Sequence, residues 1–253
     1  MAIEHGGSGD PRRSLELMWG IAPRPTRGPK QRLTIAQITA AAVAVADAEG
    51  LSALAMRRVA EQLGVSVMSL YTYVPGKGEL IDLMVDGVLA ELSTDFGENA
   101  GWRDRLGAIA RDLWVLYRRH PWLLQVNATS RPPLGPHTIA VYEHQLWAVE
   151  GIGLSDVQMD SVILLISGYV QGAARGAVDS AQAEQSTGLT DLQWWEAHEP
   201  VLDKVMDPTR YPLAVRVGSA AGDAHQAAFN PDYNFTFGLE RVLDGIAALI
   251  HKA

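Results

Sequence analysis

Apolar residues recur at helical intervals along most of this chain, and the places where the interval breaks divide it into segments. Ile35, Ile38, Ala42, Val45 and Ala46 fall on one face of a helix that opens at Thr34 and closes near Gly50. Thr34 and Gln37 have the spacing at which each side chain reaches the other's backbone N–H, a capping box. Val59, Leu63, Val65 and Leu70 carry the pattern through two short helices, with Ala60 small enough for a close crossing and Gly64 able to take the positive φ of a tight turn. Ser66 is the N-cap of the second, which is predicted to run to about Tyr73. Val67, Met68, Ser69, Tyr71 and Thr72 then face away from the core and are free to touch another molecule. After Pro75-Gly76, the positions of Leu80, Leu83, Met84, Val88 and Leu89 predict a fourth helix, from Glu79 to about Phe96, that joins this unit to the rest of the chain.

The remainder reads as helix too. Residues 102–119 and 137–150 predict helices, separated by a turn over 120–126 and a loop over 131–136. A long apolar helix over 156–183 carries Gly168, Gly172, Ala173, Ala174 and Gly176, whose small side chains admit a second helix at close range. Residues 193–206 and 212–221 predict shorter helices, 222–232 a loop, and 235–251 a last helix striped by Phe235, Leu239, Val242, Leu243, Ile246, Leu249 and Ile250. The expected fold class is all-α: a three-helix helix-turn-helix domain over 32–92 and a larger helical domain over 93–253. Residues 1–31, crowded with Gly and Pro, predict a mostly flexible basic extension with a short helix at most around 14–19.

Charge sharpens this division. The net charge of −8 argues against a nucleic-acid partner, yet residues 11–78 carry +5 and residues from Glu79 onward −11. A basic front and an acidic remainder suit a molecule of which one end meets phosphate. The absence of cysteine excludes disulfides and cysteine-ligated zinc. The apolar patch at 17–21 is too short for a signal peptide, and the apolar runs fall short of the roughly 20 residues that cross a bilayer, so a cytoplasmic protein without a membrane partner is expected.

Candidate chemistry is that of binding. No phosphate-binding Gly-rich loop, nucleophile elbow or acid-base pair of carboxylates is present, and His137 and His144 share a helix face without a third ligand. No enzymatic activity, metal or cofactor is therefore expected. Aromatic residues are dense in the second half, and Trp114, Tyr117, Trp147 and Tyr169 are candidate walls of a pocket for a flat hydrophobic or aromatic effector.

Residues 34 to about 92 resemble the N-terminal domain of the TetR (tetracycline-repressor) family, through MRRVAEQLGVS, LYTYV and the lysine two residues after Val74-Pro75. That resemblance implies a homodimeric, all-helical transcription regulator that grips a palindromic operator in double-stranded DNA and is released by a small molecule bound in its C-terminal domain. It places Arg57, Ser69, Tyr73 and Lys77 where the family grips phosphates, and Val67, Met68, Tyr71 and Thr72 where it touches base edges, with Ser66 opening the same helix. The front of that helix carries no Arg, Asn or Gln, so DNA shape and dimer spacing are expected to share the work of specificity. More weakly, Trp102, Ser130-Arg131-Pro132 and Glu143-x-Gln145-Leu146 resemble stretches of the tetracycline-binding members, which implies that Ile109, Leu113, Asn127, Ser130 and Gln145 line the drug pocket. Asn127 stands where those members place a histidine that ligates the drug's magnesium, and an amide is a poor ligand for that hard cation, so a metal-free effector is expected. The resemblance also implies a homodimer joined through the long helix of 156–183 and the last helix of 235–251 in a four-helix bundle. The alternative is a helical small-molecule-binding or scaffold protein whose head no longer binds an operator.

Overall fold

The computed structural model describes residues 9–21, 33–93, 95–96, 100–126, 131–227 and 229–250, so Asn127, Ser130 and most of the basic extension lie outside the described residues. The first helix, α1 (Pro11–Met18), is capped by the Asp10 carboxylate, which accepts the N–H groups of Arg12 and Arg13 at 3.0 and 3.3 Å. The short helix allowed around 14–19 runs over Pro11–Met18 and is docked on the head. Leu17 is buried in the N-terminal core, Ser14 Oγ donates to Asp82 at 2.6 Å, and the Asp10 N–H donates to Glu79 at 2.9 Å. An amphipathic turn with two carboxylates waiting opposite it gains enough contacts to offset its ordering.

α2 (Ile35–Glu49) opens on the expected capping box, Gln37 N–H to Thr34 Oγ1 at 3.1 Å and Thr34 N–H to Gln37 Oε1 at 2.9 Å. A 3-10 turn (Leu51–Ala53) leads to α3 (Met56–Leu63), Gly64 takes the left-handed conformation at φ 66°, and α4 (Val67–Tyr71) follows, two residues shorter than expected. Ile38, Val59, Ala60, Leu70, Val74, Leu80 and Met84 meet at the centre of this head with no exposed surface.

The fourth helix of the head, α5 (Lys77–Leu89), does not run on to Phe96. The N–H groups of Ala90, Glu91 and Leu92 turn back to carbonyls three residues earlier, tightening the end of the helix, and Ser93 Oγ accepts the Asp95 N–H at 3.3 Å. A polar stretch whose side chains bond their own backbone competes with helix, and the helix stops.

The second core forms where α6 (Trp102–Arg119), α8 (Asp156–Thr187) and α11 (Pro231–Ile250) pack together through Leu106, Ala110, Ile166, Val170, Leu239, Leu243 and Ile246. Between them come a 3-10 turn (Pro121–Gln125), α7 (Pro136–Trp147), α9 (Asp191–Val205) and α10 (Pro212–His225). α8 is long and apolar enough by composition to cross a bilayer, contrary to the reading from uninterrupted runs, but here one of its faces is covered by α6 and α11. The stripe of α11 is also redistributed: Phe235, Leu239, Leu243 and Ile246 are buried within the protomer, while Tyr233 and Phe237 are exposed. α9 buries none of its residues. Residues 116–126 are the seam between the two cores, since Leu116, Trp122, Leu123 and Val126 join the head's cluster and Leu124 joins the other.

Candidate nucleic-acid interface and effector cavity

The exposed surface of the head includes one side of α4. Ser66 Oγ accepts the Ser69 N–H at 3.2 Å and so starts α4, after which Met68, Ser69, Tyr71 and Thr72 all face solvent, Met68 with 74% of its surface accessible. Arg57 is exposed on α3 and spans one turn to Glu61 at 3.0 Å, while Lys77 is the first residue of α5. Val67, expected to face away from the core, does not do so fully. Val67 and Tyr73 are half-buried against the head's core, because each lies three residues from Leu70 and therefore on the inward side of the same turn. Arg58 forks onto Glu49 with Nη2–Oε1 at 2.6 Å and Nε–Oε1 at 2.9 Å, which lowers the Glu49 carboxyl's pKa and ties α3 to the end of α2.

A cavity of about 440 Å³ lies between α5, α6, α7, α8 and the loop at 132–134. Leu113, Tyr117 and Gln145, all candidates for an effector pocket, are among the residues that line it. Burial raises the pKa of the Tyr117 hydroxyl. Gln145 is buried, and its amide has no hydrogen-bond partner among the described residues, which leaves it available to an occupant. The other described candidates are elsewhere. Ile109 and Trp114 belong to the second core, with Trp114 stacked on Phe235 at 4.3 Å. Trp147 is exposed and donates to Glu143 at 3.0 Å, and the Tyr169 hydroxyl donates to the Phe235 carbonyl at 2.6 Å as a strut between α8 and α11.

Several wall residues escaped the sequence reading. Asp160, Ser167 and Gln171 share one face of α8, a spacing of two and three turns that marks a polar stripe on an otherwise apolar helix. Tyr142 crosses from α7 to donate to Asp160 at 2.8 Å, and that hydrogen bond to a carboxylate raises the tyrosine's pKa. Val85 and Leu89 bring α5 itself into the wall.

The head and the cavity are tied together by buried carboxylates. Glu79, Asp82 and Asp86 lie on one face of α5 and are all buried. Asp86 does for α7 what its N-cap Gly135 lacks the side chain to do, accepting both the Thr138 N–H and the Thr138 hydroxyl at 2.8 Å. Gly135 is required there, since a Cβ at that position would run into the Asp86 carboxylate. Across the seam, His120 is buried with Nδ1 2.7 Å from Asp47 of α2 and Nε2 3.2 Å from Glu91, and Trp122 Nε1 donates to the same Asp47 oxygen at 2.8 Å. Burial pushes the Glu91 carboxyl up, but Arg119 at 2.8 Å and His120 outweigh it and hold the pKa below the usual carboxylate value. A more open groove of about 630 Å³ runs along this seam, between α1, α2, α5 and the start of α7.

Comparison with known proteins agrees with both halves. Residues 38–84 match the family model described as bacterial regulatory proteins of the tetR family, and residues 97–250 match that of the tetracyclin repressor-like C-terminal domain. The chain is 49% identical over 252 residues to the HTH-type transcriptional repressor DrrR1 of Streptomyces coeruleorubidus, covering 98% of this chain and 90% of that protein. Among solved structures, apo ActR from Streptomyces coelicolor superposes with a TM-score of 0.70 at 28% identity, covering 88% of this chain and 99% of that one. ActR in complex with actinorhodin gives 0.71 at 29% identity over 87% and 99%. With a helix-turn-helix head, an all-helical core holding a cavity, and sequence matches over both, the chain belongs to the TetR family of bacterial DNA-binding transcriptional regulators.

Proposed function

We propose that this protein is a homodimeric repressor that binds a palindromic operator and releases it when a hydrophobic small molecule fills the cavity between α5 and α8. The observation that carries this reading is the double membership of α5. Its first residue, Lys77, stands beside the exposed surface of α4, while Val85 and Leu89 farther along line the cavity and Asp86 holds the start of α7. An occupant that moves α5 or α7 moves the head with it. The coupling is lateral, through Asp86 and the Asp47–His120–Glu91 tie, rather than along one continuous helix from 79 to 96. DrrR1 is named a repressor and ActR is found with actinorhodin, which supports a repressor with an effector site here.

Exposed apolar surface supports the dimer. Leu164 and Leu165 are half exposed on α8, and side chains added at Gly168 or Gly172 would meet nothing within the protomer. Phe237 and Tyr233 of α11 stand open as well. We assign this surface of α8 and α11 to the two-fold mate, which sets two heads on one side of a duplex about 34 Å apart.

The test is fluorescence anisotropy with duplexes from the intergenic DNA beside the protein's own gene. Binding should be sequence-selective and weaken with salt, and Lys77→Ala should lower affinity while reducing the salt slope by about 1. Binding indifferent to sequence would favour the alternative, a helical small-molecule-binding protein without an operator.

A further inference from the structure

We propose that the cavity takes a flat, mostly apolar molecule bearing a protonated amine, with Asp160 as the counter-ion of that amine. The inference rests on reading the cavity as the effector site and deepens it by naming a chemical class.

Three features of the wall point to a cation. Asp160 is the one formally charged residue among the described lining, which is otherwise built of side chains such as Leu113, Leu116, Ile163 and Pro133 with a few neutral polar groups. Asp160 receives a hydrogen bond from the neutral Tyr142 hydroxyl at 2.8 Å, and no cationic side chain pairs with it among the described residues. The next cation along α8, Arg175, is turned away to donate to the Leu124 carbonyl. On α7, His144 stacks on Phe96 at 3.8 Å. An anion entering this space would meet the negative charge of the half-buried Asp160, whereas a cation would be attracted to it. A carboxylate has more acceptor positions than Tyr142 occupies, so it can keep that bond and still receive an ammonium.

The register of α8 gives the occupant a shape. Asp160, Ser167 and Gln171 run down one wall over about 16 Å of helix rise, with the buried Gln145 amide and the Tyr117 ring facing the same space. A molecule with its amine at the Asp160 end, an apolar body against Leu113 and Leu116, and one or two polar substituents along the α8 edge matches this order. A sugar would need hydrogen-bond partners on the Leu113–Leu116 side, where the wall has none to give.

The experiment compares two fluorescent probes of nearly equal size, 9-(aminomethyl)anthracene, which is a cation at neutral pH, and 9-(hydroxymethyl)anthracene, which is neutral. Binding to the full-length protein is measured by probe anisotropy at low and high salt. The amine should bind roughly tenfold more tightly than the alcohol, and the margin should shrink with salt. Asp160→Asn should bring the two affinities together by weakening the amine alone. Tyr142→Phe should keep the preference, since it frees the carboxylate rather than removing it. Equal affinities in the wild type, preference for the alcohol, or no binding of either probe overturns the proposal. Loss of the preference in both variants also overturns it, because the effect would then belong to the bridge between α7 and α8 and not to the charge. Operator binding by the same samples without probe reports on the repressor reading alone, so the two can fail separately.

Discussion

The side chains proposed to meet DNA come from residues 57–77, whereas the cavity wall is drawn from six segments spread over residues 85–171. The head is a local object. Its turn, its cap and its crossing alanine are set by neighbours a few residues away, and Leu70 at its centre has no exposed surface. The cavity is what remains between helices that meet only after the chain has folded, so its floor and walls have no common sequence position. The two regions should therefore respond differently to the same kind of damage.

Leu70→Ala should have the largest effect. Truncating a fully buried leucine costs about 2–5 kcal/mol, and here the loss would loosen α4 and abolish operator binding. Leu113→Ala removes the same atoms from a side chain that already borders open space, so the cost should fall at or below the bottom of that range, with operator binding retained. Thermal unfolding of the two variants compares the regions directly. Equal losses would mean that the cavity wall is as tightly packed as the head.

Asp86→Ala comes next and tests the link between the regions. It leaves the Thr138 N–H and hydroxyl without their acceptor, a loss of about 1–3 kcal/mol. The informative readout is operator release. The variant should bind operator but dissociate less readily when a cavity ligand such as 9-(aminomethyl)anthracene is added. Release unchanged from wild type would place the coupling elsewhere.

The same contrast explains what could be seen in the sequence. The capping box of Thr34 and Gln37, the turn at Gly64 and the N-cap Ser66 are contacts over three or four residues, and the structure has them where the pattern put them. The outward face of α4 followed from Leu70 except at Val67, where counting three residues back from the same leucine would have turned it inward. In the cavity, Leu113, Tyr117 and Gln145 were reachable, but aromatic density misplaced Trp114, Trp147 and Tyr169, because an aromatic ring fills a core or a strut as readily as a pocket. The buried acids of α5 were hidden for another reason. Glu79, Asp82 and Asp86 look like the solvent face of an amphipathic helix until α1 and α7 arrive from outside to cover them. Their regular spacing was visible, but their partners lie more than fifty residues away.

The smallest effect is expected at Glu91, where the seam between the regions depends on pH. Its pKa is lowered in the folded protein, so its ionised form is bound more favourably there than in the unfolded chain. The stability it contributes is fully present above the unfolded carboxylate value of 4.5 and is lost as pH falls through the lower folded value. The side chain is about one third exposed, with 36% of its surface accessible, so screening limits the contribution to roughly 0.5 kcal/mol. Glu91→Gln should therefore melt slightly below wild type at pH 7, and the gap should close as the pH drops below 4.5. Other carboxylates titrate in the same range, but they do so in both proteins and cancel in the difference. A gap that persists in acid would show that Glu91 holds the seam by the shape of its contacts with Arg119 and His120 and not by its charge.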